Sequence, residues 1–188
     1  MNPDEADCLL LGGGGDVAPC LYGGVGTNAR DVDIERDVNE LYLIRKFLKT
    51  DRYVFGICRG EQIINVYFGG TLYNTLSSRH AYRGRDRLHA ATFKGLLKKT
   101  YGEAGIVNSA HRQAVQRLGS SLKATAIADD GEIEAIEIID TISEESGYLP
   151  SRIDAVFWLF CSDNNGMICT EIPHCELCSL KGKYCNWN

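Results

Sequence analysis

The sequence has no excess of basic residues and no long apolar segment. Lys and Arg together number 20 against 25 Asp and Glu, which leaves a formal net charge of −5. Such a chain has no overall positive field to hold a phosphate backbone, so we expect no nucleic-acid partner. No apolar run approaches the roughly 18 residues that cross a bilayer, and the first residues are acidic where a signal peptide is basic. We therefore expect a cytoplasmic protein with no membrane partner.

Proline is scarce, at four residues, and no segment is of low complexity. With 44% hydrophobic and 24% charged residues, the composition is that of a folded domain and excludes collagen-like and wholly disordered chains. The length of 188 residues suits one domain with a sizeable core. We expect a main domain over residues 1–160 and a cysteine-rich tail over 161–188.

The apolar segments alternate between strand-like and helix-like patterns. Residues 9–11 and 53–57 are short buried strands by their pattern, 34–48 is an amphipathic helix, and a second helix runs to Gly69. This order predicts a mostly parallel sheet with helices on both faces. Further on, residues 122–128 and 133–138 are predicted to form a hairpin, whereas 77–106 predict no defined element.

One cysteine lies where a nucleophile would be expected. Residues 54–60 combine a strand, the pattern G-x-C-x-G around Cys58, and a helix start. The spacing is typical of a nucleophile elbow, in which Gly56 and Gly60 relieve crowding around a strained turn. The helix N-terminus would favour the thiolate, and the N–H of Arg59 would stabilise an oxyanion. Taken alone, however, the pattern favours a small buried core cysteine.

A glycine-rich loop follows the first strand, at residues 12–16. Because the carboxyl ends of parallel strands share one edge of the sheet, this loop should lie beside Cys58. It could be an ordinary tight turn or a phosphate-binding loop. The spacings of a P-loop and of a dinucleotide fingerprint are absent, which leaves a contribution to an oxyanion hole. Cys8 and Cys20 are expected to pack around this loop.

Four segments together resemble one family of hydrolases. They are the strings DCLLLGGGGDVAP with YG at 7–23, GICRGEQIINV with GGTLY at 56–73, VNSAHRQAV at 107–115 and DGEIEAIE at 130–137. In this order they resemble class I glutamine amidotransferase-like hydrolases, above all the γ-glutamyl-γ-aminobutyrate hydrolases. The resemblance implies a flavodoxin-like α/β fold and hydrolysis of a γ-glutamyl amide, without a cofactor, through a Cys58 thioester.

The resemblance also implies roles for individual residues. Backbone N–H groups near Gly14 and Arg59 would hold the oxyanion, and four polar residues would lie near the glutamyl end of a small-molecule substrate: Gln62, Asn108, Ser109 and His111. For His111 a polar surface turn is an equal alternative. Two positions depart from the family pattern, since Glu61 and Arg112 each stand where a histidine is usual. These changes bear on the identity of the substrate.

The family's late His-Pro-Glu segment, which supplies the base and its carboxylate, has no counterpart string. In the best match by context, Leu159 falls on the histidine and Cys161 on the glutamate. A second candidate is His174 with Glu176, which keeps the spacing but is flanked by cysteines, as a metal ligand often is. The pair is therefore either lost or relocated. Its loss would leave a pseudoenzyme that binds a glutamyl-like ligand without turnover.

Both ends of the chain differ from the family pattern. The resemblance begins at Asp7, so we expect the opening strand-helix-strand unit to be missing, as in a truncated or degenerate relative or a fragment of a longer reading frame. Four tail cysteines would suffice for zinc or an iron–sulfur cluster: Cys169, Cys175, Cys178 and Cys185. Reduced thiols in a disordered tail are the alternative, and a metal-binding or interaction module is a third class of function.

Overall fold

A computed structural model describes residues 3–25, 28–50, 52–73 and 87–139. Along the chain it contains three α-helices and eight strands in these ranges: β1 (Cys8–Leu11), α1 (Ile34–Lys49), β2 (Tyr53–Gly56), α2 (Arg59–Tyr67), β3 (Thr71–Tyr73), β4 (Arg87–Phe93), α3 (Gly95–Tyr101), β5 (Ala104–Ser109), β6 (Ala114–Arg117), β7 (Leu122–Ala128) and β8 (Ile133–Ile138). A short 3₁₀ turn, Pro19–Tyr22, follows the glycine loop. The tail at 161–188 lies outside the described residues.

Strands β1 and β2 pair in parallel, with Cys8 opposite Tyr53 and Leu11 opposite Gly56. This register brings the ends of both strands, and the loops that follow them, to one edge. The crossover between them is α1, which begins where the Asp33 carboxylate accepts a hydrogen bond from the Arg36 N–H. Acidic residues in its first turn and lysines in its last complement the helix dipole. The predicted strand-helix-strand-helix order over residues 8–67 is confirmed.

The other strands pair antiparallel. Strand β3 pairs with β6, and the remaining four form a sheet in the order β5-β4-β7-β8. The predicted hairpin is present as β7 and β8, with Gly131 at φ +92° in its turn. The α/β class is thus confirmed, whereas parallel pairing within the described residues is limited to β1 with β2. Strands β4 and β5 and helix α3 lie largely within the segment for which the sequence predicted no element.

Two apolar cores stabilise the structure. The larger core joins α1 and α2 to the parallel strands through fully buried Ile44, Val54 and Ile63. The smaller one lies under the antiparallel sheet around Phe93 and Leu97. Among the residues described, no helix is long and apolar enough to cross a membrane.

The environment of two cysteines differs from expectation. Cys8 and Cys20 are exposed and do not pack around the glycine loop as predicted. Cys8 is the first residue of β1, and Cys20 lies in the 3₁₀ turn. The small, apolar character of cysteine therefore did not predict burial at either position. Neither cysteine belongs to the two apolar cores described above.

Candidate active site

Cys58 lies at the junction of β2 and α2 in a strained conformation. Its φ of +55° and ψ of −106° fall where a residue with a side chain rarely lies. The glycines on either side are required by close packing. A Cβ on Gly56 would lie 2.5 Å from the carbonyl carbon of Gly60, and a Cβ on Gly60 would collide with the carbonyl oxygen of Leu11. The G-x-C-x-G pattern therefore has the physical cause that the sequence suggested.

The Cys58 thiol is held in its neutral form. Its pKa is raised to about 11, mainly by burial and to a smaller extent by the nearby Glu61 and Glu134 carboxyls, whereas a hydrogen bond from the Arg59 backbone N–H lowers it. The expected effect of the helix N-terminus is thus present through that N–H, but burial outweighs it. At neutral pH the side chain is a thiol.

Two arginines fix the glycine loop against the helices. Arg36 donates to the carbonyl oxygens of Gly12 and Gly13, each over 3.1 Å, and its Nε donates to Glu40 over 2.8 Å. The buried Arg59 guanidinium forms ion pairs with both Asp37 and Glu40. Asp37 in turn accepts the Ala18 N–H over 2.9 Å. This network joins α1, the start of α2 and the glycine loop. The ion pairs of the Arg59 side chain thereby fix the position of the Arg59 backbone N–H, the predicted oxyanion donor.

Gly14, the predicted oxyanion residue, lies inside this arrangement. A Cβ at Gly14 would collide with the Arg36 guanidinium and approach the Arg59 side chain at 3.4 Å. A Cβ on the preceding Gly13 would lie 3.8 Å from the Cys58 Cβ. The loop backbone at Gly13 therefore lies next to Cys58, which is the proximity that an oxyanion contributor requires.

A cavity of about 190 Å³ opens beside Cys58. We call it the Cys58 pocket. It is lined by three of the other predicted site residues, Gly14, Gln62 and His111, and also by Asp16 and Arg112. Asn108 and Ser109 lie on β5, are buried, and are not among the residues that line it. The structure thus brings part of the predicted set together at the cysteine.

Behind the Cys58 pocket lies a smaller one that contains acidic groups. It shares Cys58 and His111 with the first pocket and adds Glu61 and Glu134. His89 Nε2 lies 3.0 Å from Glu134 Oε1, and His111 Nε2 lies 3.7 Å from Glu134 Oε2. His111 Nδ1 donates to the Gln113 carbonyl over 2.9 Å, so Nε2 is the ring nitrogen on the side of the Glu134 carboxylate.

Ser109 belongs to this acidic cluster and not to the open pocket. Its hydroxyl donates to Glu134 Oε1 over 3.4 Å and lies 3.5 Å from His89 Nδ1. Sequence reasoning missed His89 and Glu134 as site residues. A signal was available for the second one, because a glutamate within the apolar strand pattern of residues 133–138 needs a buried partner.

The remaining predicted residues have no described position. His174, Glu176 and the tail cysteines at 169, 175, 178 and 185 lie outside the described residues, as do Leu159 and Cys161. Within the described ranges, no three His, Cys, Asp or Glu side chains are grouped as metal ligands.

The fold and the strand-turn-helix at Cys58 place the protein in the class I glutamine amidotransferase type of α/β structure. The crystal structure of a glutamine amidotransferase from Thermotoga maritima has this fold, with a TM-score of 0.54 and 16% identity, over 72% of this chain and 53% of that one. More particularly, the Peptidase C26 family model matches residues 3–144, and the chain belongs to this family.

Two relatives show how far the similarity extends. Protein NtpR of Enterococcus hirae is 36% identical over 149 residues, which cover 73% of this chain and 62% of that protein. The γ-glutamyl-γ-aminobutyrate hydrolase of Escherichia coli O157:H7 is 30% identical over 156 residues, covering 74% and 61% respectively. The matched part of the chain thus spans about three fifths of the length of these relatives.

Proposed function

We propose that the protein hydrolyses a γ-glutamyl amide of a small molecule through a thioester on Cys58. The observation that carries this proposal is the strained Cys58 elbow, which lines the same pocket as Gly14, Gln62 and His111. Membership of the Peptidase C26 family and similarity to a γ-glutamyl-γ-aminobutyrate hydrolase support the choice of substrate class. Glutamine is the simplest substrate of this kind.

The chemistry proceeds in two balanced steps. The Cys58 sulfur attacks the amide carbonyl carbon and its proton passes to a base, while the oxygen takes up negative charge against the N–H groups of Gly14 and Arg59. The C–N bond then breaks, and the amine leaves with a proton returned by that base. Water attacks the thioester carbonyl in the second step, which releases the γ-carboxylate of glutamate and restores the thiol.

Because the pKa of Cys58 is raised, a base must take the thiol proton as the sulfur attacks. His174 oriented by Glu176 remains the proposal made from the sequence. Among the described residues, His111 is the imidazole that lines the pocket with Cys58, and its Nε2 faces Glu134 at 3.7 Å. We propose it as the alternative proton acceptor. The two are separated by comparing His174→Gln with His111→Gln, because only the variant that lacks the base should lose acylation.

The acyl-enzyme itself is the test of the function. The protein is mixed with γ-glutamyl-γ-aminobutyrate or glutamine, quenched in acid and measured by intact mass. We expect a glutamyl adduct on Cys58 and release of glutamate, both abolished in Cys58→Ala and both retained in Cys20→Ala, a matched change at an exposed cysteine. Glutamate release at an unchanged rate in Cys58→Ala would refute the proposal.

A second candidate is a pseudoenzyme that binds a glutamyl-like ligand without turnover. The neutral Cys58 thiol, with its pKa raised to about 11, is the observation that favours it. This candidate predicts that L-glutamate raises the melting temperature while no adduct and no product form. Steady hydrolysis would exclude it.

A further inference from the structure

Two side chains of opposite charge face the Cys58 pocket and have no place in the thioester chemistry. These are Asp16, which follows the glycine loop, and Arg112, which follows β5. We propose that Asp16 and Arg112 bind the α-ammonium and α-carboxylate groups of the amino-acid end of the substrate. The inference rests on the proposed function, since it identifies which part of a γ-glutamyl compound this chain recognises.

Asp16 is held in a fixed position. Its side chain is 9% exposed, and Oδ2 accepts a hydrogen bond from the Arg30 N–H over 2.8 Å. The Asp16 N–H donates back to the Arg30 carbonyl over 2.9 Å. Burial raises the pKa of this carboxyl, and the Arg112 charge lowers it. A bound ammonium group would add a second positive charge and stabilise the carboxylate further.

Arg112 retains capacity to donate. Its Nε is buried and has no hydrogen-bond partner. It lies 3.8 Å from Asp16 Oδ2, which is too long for a hydrogen bond. One terminal nitrogen donates to the Asn28 carbonyl over 3.3 Å. A guanidinium has five N–H donors, so Arg112 can hold a carboxylate while it keeps this backbone contact.

The pairing of these charges selects for a zwitterion. A simple anion at Arg112 would lie against the carboxylate of Asp16, and a simple cation at Asp16 would lie against the guanidinium of Arg112. An α-amino acid carries both charges on one carbon and satisfies both side chains at once. Arg30 and Asp31, which also line the pocket, contribute one further charge of each sign and leave this balance unchanged.

Three small probes separate the two contacts without requiring turnover. L-Glutamate carries both α-groups, glutarate lacks the ammonium, and 4-aminobutyrate lacks the α-carboxylate. Binding is measured by calorimetric titration of the full chain. We expect L-glutamate to bind at least about tenfold more tightly than either other probe, as one charge-assisted contact is lost in each.

The variants are matched in shape. Asp16→Asn keeps an oxygen that can accept the Arg30 N–H but loses the charge. We expect this variant to weaken the binding of L-glutamate about tenfold or more and to leave the binding of glutarate unchanged. Arg112→Gln should weaken the binding of L-glutamate and of glutarate by similar factors and leave the affinity for 4-aminobutyrate unchanged. Asp4→Asn and Arg117→Gln change charges that do not line the pocket, and should alter no affinity.

Several outcomes would overturn the inference. They are equal affinity of the wild-type chain for all three probes, no binding of any probe, and equal weakening of all three in both variants. Because the wild-type comparison needs no variant to fold, it is decisive by itself. Discrimination among the probes without hydrolysis of a γ-glutamyl amide would support the Asp16–Arg112 pair and refute the proposed function. Hydrolysis without discrimination among the probes would support the proposed function and refute the Asp16–Arg112 pair.

Discussion

Gln113 and Val17 are 96 residues apart in the chain and are joined by a two-way hydrogen-bonded contact. The Val17 N–H donates to Gln113 Oε1 over 2.7 Å, and Gln113 Nε2 donates to the Val17 carbonyl over 3.1 Å. Both side chains are fully buried. The Gln113 backbone carbonyl also accepts from Gln62 and His111. One residue thus aligns the glycine loop, α2 and the segment that carries His111.

The first prediction follows from this contact. Gln113→Leu keeps a similar volume but leaves the Val17 N–H and carbonyl buried without partners, and we expect a loss of about 2–4 kcal/mol in the free energy of unfolding. Urea titration measures it. Gln116→Leu is the control, because Gln116 is exposed and accepts a hydrogen bond from the Thr71 hydroxyl at the surface, and it should change stability by less than about 0.5 kcal/mol. Equal effects of the two variants would contradict the structural role of Gln113.

The second prediction concerns the buried charges behind the glycine loop. Arg59→Met leaves Asp37 and Glu40 buried beside each other without their shared cation, and we expect a loss of about 3–5 kcal/mol. Arg45→Met changes an exposed arginine of α1 and should be nearly neutral. Thermal or urea unfolding compares them. If Arg59→Met is as stable as Arg45→Met, the ion-pair network does not hold the loop.

Local patterns were enough to predict the first half of the fold. Buried apolar runs and one amphipathic helix gave β1, α1, β2 and α2, and the elbow followed from two glycines around Cys58. The turn at Asp130 and Gly131 likewise gave the β7–β8 hairpin. Each of these depends on neighbours within a few residues, and so a single sequence contains the necessary information.

Contacts between distant residues could not be predicted in this way. Residues 77–106 showed no clear pattern, and the described part of this segment forms strands that pair antiparallel with one face partly exposed, where even the apolar Leu88 and Ile106 lie in solvent. His89 became a site residue only when β4 paired beside β7 and brought it to Glu134. The raised pKa of Cys58 also depends on burial by residues far along the chain, which the helix N-terminus argument did not include.

The third prediction is that Cys58 reacts slowly with iodoacetamide at neutral pH. Only the thiolate reacts, and with a pKa of about 11 its fraction rises about tenfold for each pH unit between pH 8 and 10. Peptide mass spectrometry after timed labelling measures the rate at Cys58. Glu134→Gln removes a negative group that raises this pKa and should increase the rate, whereas Glu35→Gln, on the exposed face of α1, should not. A rate that reaches its plateau below pH 9 would contradict the burial argument.

The fourth prediction concerns the proposed metal site of the tail. If Cys169, Cys175, Cys178 and Cys185 hold one zinc ion or an iron–sulfur cluster, protein purified without oxygen or chelators contains bound metal. The paired change Cys175→Ser and Cys178→Ser should remove it, while Cys8→Ser, at an exposed cysteine of β1, should retain it. Elemental analysis per chain is the measurement. Absence of metal from the wild-type chain would rule out this site.

The fifth prediction links a buried carboxyl to the pH dependence of stability. Glu61 is buried, its Oε1 has no hydrogen-bond partner, and burial together with the nearby Glu134 charge raises its pKa well above the usual value of 4.5. The folded protein therefore keeps a proton that the unfolded chain releases. Stability must then fall as pH rises from the ordinary glutamate pKa through the raised one, with a slope of up to about 1.4 kcal/mol per pH unit.

Glu61→Gln removes this titratable group, and with it the difference in bound protons between the folded and the unfolded chain. The free energy of unfolding of the variant, measured in urea at pH 5, 6, 7 and 8, should therefore increase relative to that of the wild type as pH rises. Glu35→Gln, which changes an exposed carboxyl, should follow the wild type across the whole range. Asp16 also has a raised pKa and lowers stability in the same direction, but it is present in all three proteins and cancels in the comparison. Parallel curves for Glu61→Gln and the wild type would mean that the Glu61 carboxyl is ionised in the fold at pH 5, because a group already charged in both states contributes no slope.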